Sequence, residues 1–341
     1  MKYLHFLLLF ISHSLIGQQL VLKNIPPTTD ASFRGLSVVD DHVAWVSGSK
    51  GWVGLTTNGG SQWDLKQVKG YERCDFRSLY AFDGNKAIIA NAGTPAYILL
   101  TTDGGVSWAQ VYKNDDSAAF FDGIDFWNKD NGIIYGDPIQ KKMLLLTTKD
   151  GGASWQEKPD ACRPELAEGE ASFAASGTTI KCLNKKKVII ATGGTVSRLL
   201  ISEDKGSTWR SVHMPILQGK STTGIFSLAC KDDKTMIVTG GDYKNDTLKK
   251  DHVFYSTNGG KTWTAPTKPT RGYRECVSYI KDKKVLALGP SGMDVSFNDG
   301  ISWKPLSDET QFHAVKKSRE GNLVIFAGSR GKISVLPRGK I

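Results

Sequence analysis

The sequence predicts an all-β protein: a single seven-bladed β-propeller of four-stranded antiparallel blades, closed by pairing an N-terminal strand with the last blade. Three observations predict it. An eight-residue box recurs six times, as "TTNGGSQW" at 56–63, "TTDGGVSW" at 101–108, "TKDGGASW" at 148–155, "SEDKGSTW" at 202–209, "STNGGKTW" at 256–263 and "SFNDGISW" at 296–303. The closing tryptophans, Trp63, Trp108, Trp155, Trp209, Trp263 and Trp303, are spaced by 45, 47, 54, 54 and 40 residues, a period at which repeats build propeller blades. A second series, a polar turn followed by four or five apolar residues and a glycine, occurs seven times, from "DDHVAWVSG" to "REGNLVIFAG".

Each unit reads as four short strands, shown by the first: "FRGLSVV" before the charged turn, "VAWVS" after it, "WVGLT" entering the box and "WDLKQV" leaving it. β-Branched and aromatic runs between Gly, Asp and Asn turns indicate antiparallel meanders. The seventh unit supplies only three strands, "FHAVKK", "NLVIFAG" and "KISVLPRGKI". The missing strand is expected from "QLVLKNIPP" at 19–27, which removes the open edges a broken ring would leave.

Within each box, Ser or Thr at the first position and Asn58, Asp103, Asp150, Asp204, Asn258 or Asn298 at the third suit a tight turn held by side-chain hydrogen bonds. The fifth-position glycine supplies a positive φ, and the tryptophan an apolar wedge between blades. A calcium loop is the competing reading. It fails because three boxes carry Asn in place of a carboxylate and none has the alternating acidic ligands that end in Glu. No metal and no cofactor is expected.

Residues 1–17, "MKYLHFLLLFISHSLIG", read as a secretory signal peptide, leaving 18–341 as one propeller domain exported to the periplasm or exterior. No later apolar run has the length of a membrane helix. The formal charge of +10 comes from scattered lysines, which excludes the basic stripe of a nucleic-acid binder and favours acidic partners. A monomer is expected. The five cysteines form no CxxC pair, and Cys162 with Cys182 is the pair singled out for a bridge.

Irregular stretches on one end of a regular ring are where a site is sought. Five stand out: 120–138, 162–178, 224–243, 271–279 and 289–296. Alignment of first strands puts Arg34, Arg77, Asp122, Ala174, Phe226, Arg274 and His313 in equivalent slots, so that three arginines converge at one mouth of the central channel. Asp122, Asp137, Glu170 and Asp242 are placed to pair with them, and Ser176 and Tyr243 lie in the same stretches.

The boxes resemble the Asp-box, or BNR, repeat of sialidase-like propellers. "FFDGIDFW", "GDP", "EGEASFAASGT", "GGDY", "GYRECV" and "GPSG" resemble the photosystem II stability/assembly factor-like family of BNR propellers, whose bacterial members are often labelled oxidoreductase or sialidase-like. That resemblance implies a non-enzymatic scaffold that binds or assembles a protein partner of the cell envelope, with Arg34, Arg77 and Arg274 as the contact surface; an acidic ligand is the other partner considered. A sialidase-like glycoside hydrolase is the alternative, with the same arginines as clamp, Tyr273 or Tyr243 with Glu170 as nucleophile pair and Asp122 as acid. It lacks the Phe/Tyr-Arg-Ile-Pro sequence and has seven blades where sialidases have six. An oxidoreductase with a channel-bound cofactor is the third reading; no GxGxxG or CxxCH supports it, and His42, His213, His252 and His313 are widely spaced.

Overall fold

The computed structural model describes residues 20–337 and Gly339; the expected signal peptide, residues 1–17, lies outside them. Seven antiparallel sheets follow one another in chain order around a central channel. Blade 1 runs from inside out as Phe33–Val38, Ala44–Gly48, Trp52–Thr56 and Asp64–Gln67. In five blades the second strand, such as Ala44–Gly48 or Val324–Gly328, is buried at every position. Neighbouring blades cover both its faces, so it is largely apolar instead of alternating.

The ring closes as expected. Lys23–Ile25 pairs antiparallel with Ile333–Val335, Lys23 opposite Val335 and Ile25 opposite Ile333, and forms the outermost strand of blade 7. Blade 5 is the irregular one. Its three strands Thr223–Cys230, Met236–Asp242 and Val253–Ser256 are completed outside by the Tyr255–Thr264 bridge, and extended inwards by Gly193–Gly194 and Glu170–Ala171.

Cohesion comes from seven apolar cores, one between each pair of adjacent blades. Six of them contain the box tryptophan of the following blade; Trp155, for example, packs between blades 2 and 3 edge-on to Phe126 at 6.0 Å. Burying so large a side chain is worth several kcal/mol, about 3–5 by the cost of truncating it. The core between blades 6 and 7 has no box tryptophan and takes Leu20 and Leu22 of the N-terminal segment.

All six boxes share one geometry. In "TTDGGVSW", Thr101 Oγ1 accepts from Gly105 N at 2.9 Å and donates to Asp103 Oδ1 at 2.8 Å, while Asp103 Oδ1 accepts from Ser107 N at 3.0 Å. The Asn boxes repeat it, with Asn258 Oδ1 accepting from Ser256 Oγ and Thr262 N, both at 3.0 Å. Ser107's hydroxyl and amide, with Thr101, hold the Asp103 carboxyl at about 2; Asp204 is held there by Thr208. Asp150 also lies at about 2, its partial burial outweighed by hydrogen bonds from Ser154 and Thr148. Gly152 shows why the fifth position is glycine: its φ is +89°, and a Cβ there would sit 2.1 Å from Ile88 Cδ1 of the preceding blade.

One expectation is corrected. All five cysteines are free thiols. Cys182 lies on the inner strand of blade 4, packed in the blade 3–4 core, whereas Cys162 belongs to a turn outside the strands of blade 3. Carbonyl Cys162 accepts from Trp209 Nε1 at 3.0 Å.

Candidate functional site

The first strands of blades 1, 2, 3, 5 and 7 carry a β-bulge at one common position, occupied by Arg34, Arg77, Asp122, Phe226 and His313. A bulge re-aims a side chain, so these residues form a ring at one channel mouth. Blades 4 and 6 correct the sequence alignment. Cys276 pairs with Leu288 as Ala314 pairs with Ala327, which puts Glu275, and not Arg274, in the ring. Ile180 pairs with Ile190 as Leu36 pairs with Val46, which puts Thr178 there and not Ala174.

Arg274 is consequently turned inward. Its side chain is 0% exposed; Nε donates to Asp294 Oδ2 at 2.7 Å, Nη2 to the same oxygen, and Nη1 to Tyr273 O and Ser291 Oγ. The expected cluster of three arginines is therefore two. Arg34 pairs with Glu275, and Arg77 Nε with Asp75 Oδ2 at 2.7 Å. Burial would raise Glu275, yet Arg34 and His313, whose Nδ1 is 3.2 Å from Oε2, hold it below the ordinary carboxylate value.

The mouth is stopped by the chain itself. Residues 172–177, between the inner extension of blade 5 and the first strand of blade 4, cross the channel as a plug. Ser172 N meets Asp137 of blade 3 at 3.5 Å, and Phe173 stacks on Phe226 of blade 5 at 3.8 Å. Ala175 O accepts from Arg34 Nη1 of blade 1 at 2.7 Å, Ser176 Oγ donates to Glu275 O of blade 6 at 3.1 Å, and Gly177 O accepts from Lys316 Nζ of blade 7 at 3.3 Å. Ser176 Oγ also lies 2.5 Å from Thr178 Oγ1, which leaves it wholly engaged.

Beneath the plug lies an acid pair. Burial, then the neighbouring Asp137 charge, pushes Asp122 well above its ordinary value, with Arg77 opposing; burial likewise raises Asp137. Glu170 is set apart from them. Its side chain is 0% exposed and takes Arg198 Nε at 2.9 Å and Nη2 at 2.6 Å, Thr192 Oγ1 at 2.7 Å and Ala167 N at 2.9 Å. Asp242 accepts from Lys244 N at 3.0 Å. Tyr273 is buried against Phe226, which pushes its hydroxyl up, whereas Tyr243 is 44% exposed beside the plug with Lys244 over its ring. Among the described residues no group of three or more His, Cys, Asp or Glu could hold a metal, and no helix is long and apolar enough to cross a membrane.

A second ring escaped the sequence reading. Three residues beyond the bulge, Ser37, Tyr80, Asp125, Lys181, Ala229, Ser278 and Lys316 hold one register position and line a channel cavity of about 220 Å³ that ends blindly on Gly177 and Thr178. Adding three to the aligned slots finds Ser37, Tyr80, Asp125, Ala229 and Lys316; Lys181 and Ser278 emerge only from the corrected register of blades 4 and 6.

Residues 18–118 match the model of a family described as photosynthesis system II assembly factor YCF48, and residues 144–287 one described as sortilin, neurotensin receptor 3. Among solved structures, the chain is similar to YCF48 bound to D1 peptide, with a TM-score of 0.68 at 16% identity over 92% of this chain and 96% of that one. YCF48 from Cyanidioschyzon merolae gives 0.66 at 15% over 92% and 98%. A GH74 xyloglucanase from Xanthomonas campestris gives 0.65 at 14% over 94% of this chain and 54% of its own. No curated protein matches the sequence. The family model and the YCF48 neighbours bear out the YCF48-like, BNR-propeller resemblance; the structural likenesses alone show the fold.

Proposed function

We propose that this YCF48-like propeller is a non-enzymatic scaffold that binds or helps assemble a protein partner, in the periplasm or exterior to which its signal peptide directs it. The observation that carries the reading is the plug. It turns the mouth that carries the candidate catalytic residues from a cleft into a surface, and catalysis by those residues needs a concave site there. Arg34 and Arg77, with side chains 22% and 33% exposed, and the exposed Tyr243 are the groups this surface offers a partner. Arginine and tyrosine are the residue types that carry binding energy at protein interfaces. One similar propeller was solved with a peptide bound, which supports the same use here.

The hydrolase reading loses its machinery: Glu170 is locked by Arg198, and Tyr273 is buried among aromatics. Cross-linking with mass spectrometry in the native host, for the parent and for an Arg77→Gln, Tyr243→Ser variant, tests the scaffold. A partner recovered with the parent and lost with the folded variant is expected. Turnover of a fluorogenic sialoside, abolished by Glu170→Gln, would overturn it.

A further inference from the structure

The blind channel opens on the face opposite the plug. That face carries the boxes, since each box loop bonds to the inner hairpin of its own blade, as Gly59 N to His42 O at 2.8 Å and Gly151 N to Asp130 O at 2.8 Å. The cavity is lined by Lys181, Lys316, Lys317 and Arg319 against one carboxylate among the described lining residues, Asp125. Four cations and one anion leave a formal excess of three positive charges in a space lined by polar and apolar side chains alike.

Two of the cations are committed to the wall. Lys317 Nζ donates to the carbonyls of Ser318 and Gly321; Arg319 donates to Ser37 Oγ and Ala81 O and lies over the Tyr80 ring at 4.6 Å. The other two retain donors. Among the described residues Lys316 Nζ makes one bond, to Gly177 O at 3.3 Å, of the three it can donate. Lys181 Nζ lies 3.6 Å from Asp125 Oδ2, beyond a good hydrogen bond, and its side chain is 41% exposed. Asp125 is already satisfied by Phe126 N at 2.9 Å and Cys182 N at 2.8 Å. A narrow, low-dielectric channel with an uncompensated charge concentrates ions of opposite sign.

We propose that this channel is a binding pocket for a multiply charged carboxylate, entered from the box-bearing face and held between the ammonium groups of Lys181 and Lys316. The carboxylates belong either to a small free acid or to the acidic end of a polypeptide. The proposal does not rest on the scaffold reading, which concerns the opposite mouth.

Isothermal titration of the full chain with citrate, and separately with a tetrapeptide ending in two glutamates, tests it. One ligand per chain is expected, weakened about tenfold or more by Lys181→Gln with Lys316→Gln and unchanged by Arg77→Gln. Binding of citrate alone identifies a free acid; binding of the tetrapeptide alone identifies a chain end. If neither binds, or if the folded double variant binds as the parent does, the pocket is refuted. Equal weakening by Arg77→Gln would move the anion to the plug face and overturn the proposal as well. Should the double variant fail to fold, Lys181→Gln alone serves, because that side chain is partly exposed.

Discussion

Arg274 provides the sharpest test of the ring's register. Arg274 and Asp294 are 0% and 1% exposed, so each charge depends on the other for the solvation it has lost. Burial pulls the guanidinium down from its ordinary value and Asp294 opposes that pull. Breaking a buried pair by removing one partner costs about 3–5 kcal/mol. The two ends of that range belong to different partners. Arg274→Met leaves Asp294 with Arg271, whose Nε stands 3.1 Å from Oδ1, so a loss near about 3 kcal/mol is expected. Asp294→Leu leaves Arg274 with only the Tyr273 carbonyl and the Ser291 hydroxyl, and a loss near about 5 kcal/mol is expected. With an unfolding entropy of about 2.1 cal/mol/K per residue over roughly 320 residues, these become falls of about 4 and 7 °C in Tm. Arg274→Met with Asp294→Leu should recover most of the loss, since the pair goes together. Differential scanning calorimetry reads all three. An unchanged Tm for Arg274→Met would mean that Arg274 faces the channel mouth and solvent, and that the register given for blade 6 is wrong.

Trp155→Ala should cost about 3–5 kcal/mol in urea unfolding; Trp155→Phe should cost much less, because Nε1 has no hydrogen-bond partner among the described residues. Asp103, Asp150 and Asp204 are held at about 2 against an ordinary 3.8, so the stability they lend is complete above about pH 4 and is lost as pH falls towards 2. Changing all three to Asn should flatten that part of the stability profile, and an unaltered slope would contradict it. Asp122 has the opposite sign: its raised value makes it a stability cost that grows with pH, so Asp122→Asn should raise Tm at pH 8 more than at pH 4. Alkylation in denaturant without reductant should label all five cysteines; three labelled thiols would reveal a bridge.

The ring, its closure and the blade count were legible because they rest on features that repeat. One box can be a coincidence, whereas six at blade spacing carry the architecture, and the three-strand seventh unit shows what the N-terminal segment must supply. The channel mouth was harder for a definite reason. A bulge inserts one residue, and at "YRECV" two adjacent charged residues compete for the bulged slot, so only strand pairing decides that Glu275 faces the ring and Arg274 the interior. At "EASFAASGT" the apolar run resembles a first strand, which drew Ala174 into the alignment. Its hydrogen-bond partners instead lie on other blades, and no local pattern encodes them. The Lys181 and Lys316 pocket stayed hidden because lysines on strands read as solvated surface until a closed ring gives them a common interior.

The segment from Leu20 to Ile25 does two things: its leucines fill the core between blades 6 and 7, and its strand completes blade 7. Mechanically this makes the propeller a split washer. Elsewhere the circle is continuous chain, whereas here blade 7 is held to the N-terminal segment by three residue pairs and two leucines, beside the blade 7–1 core that contains Trp63.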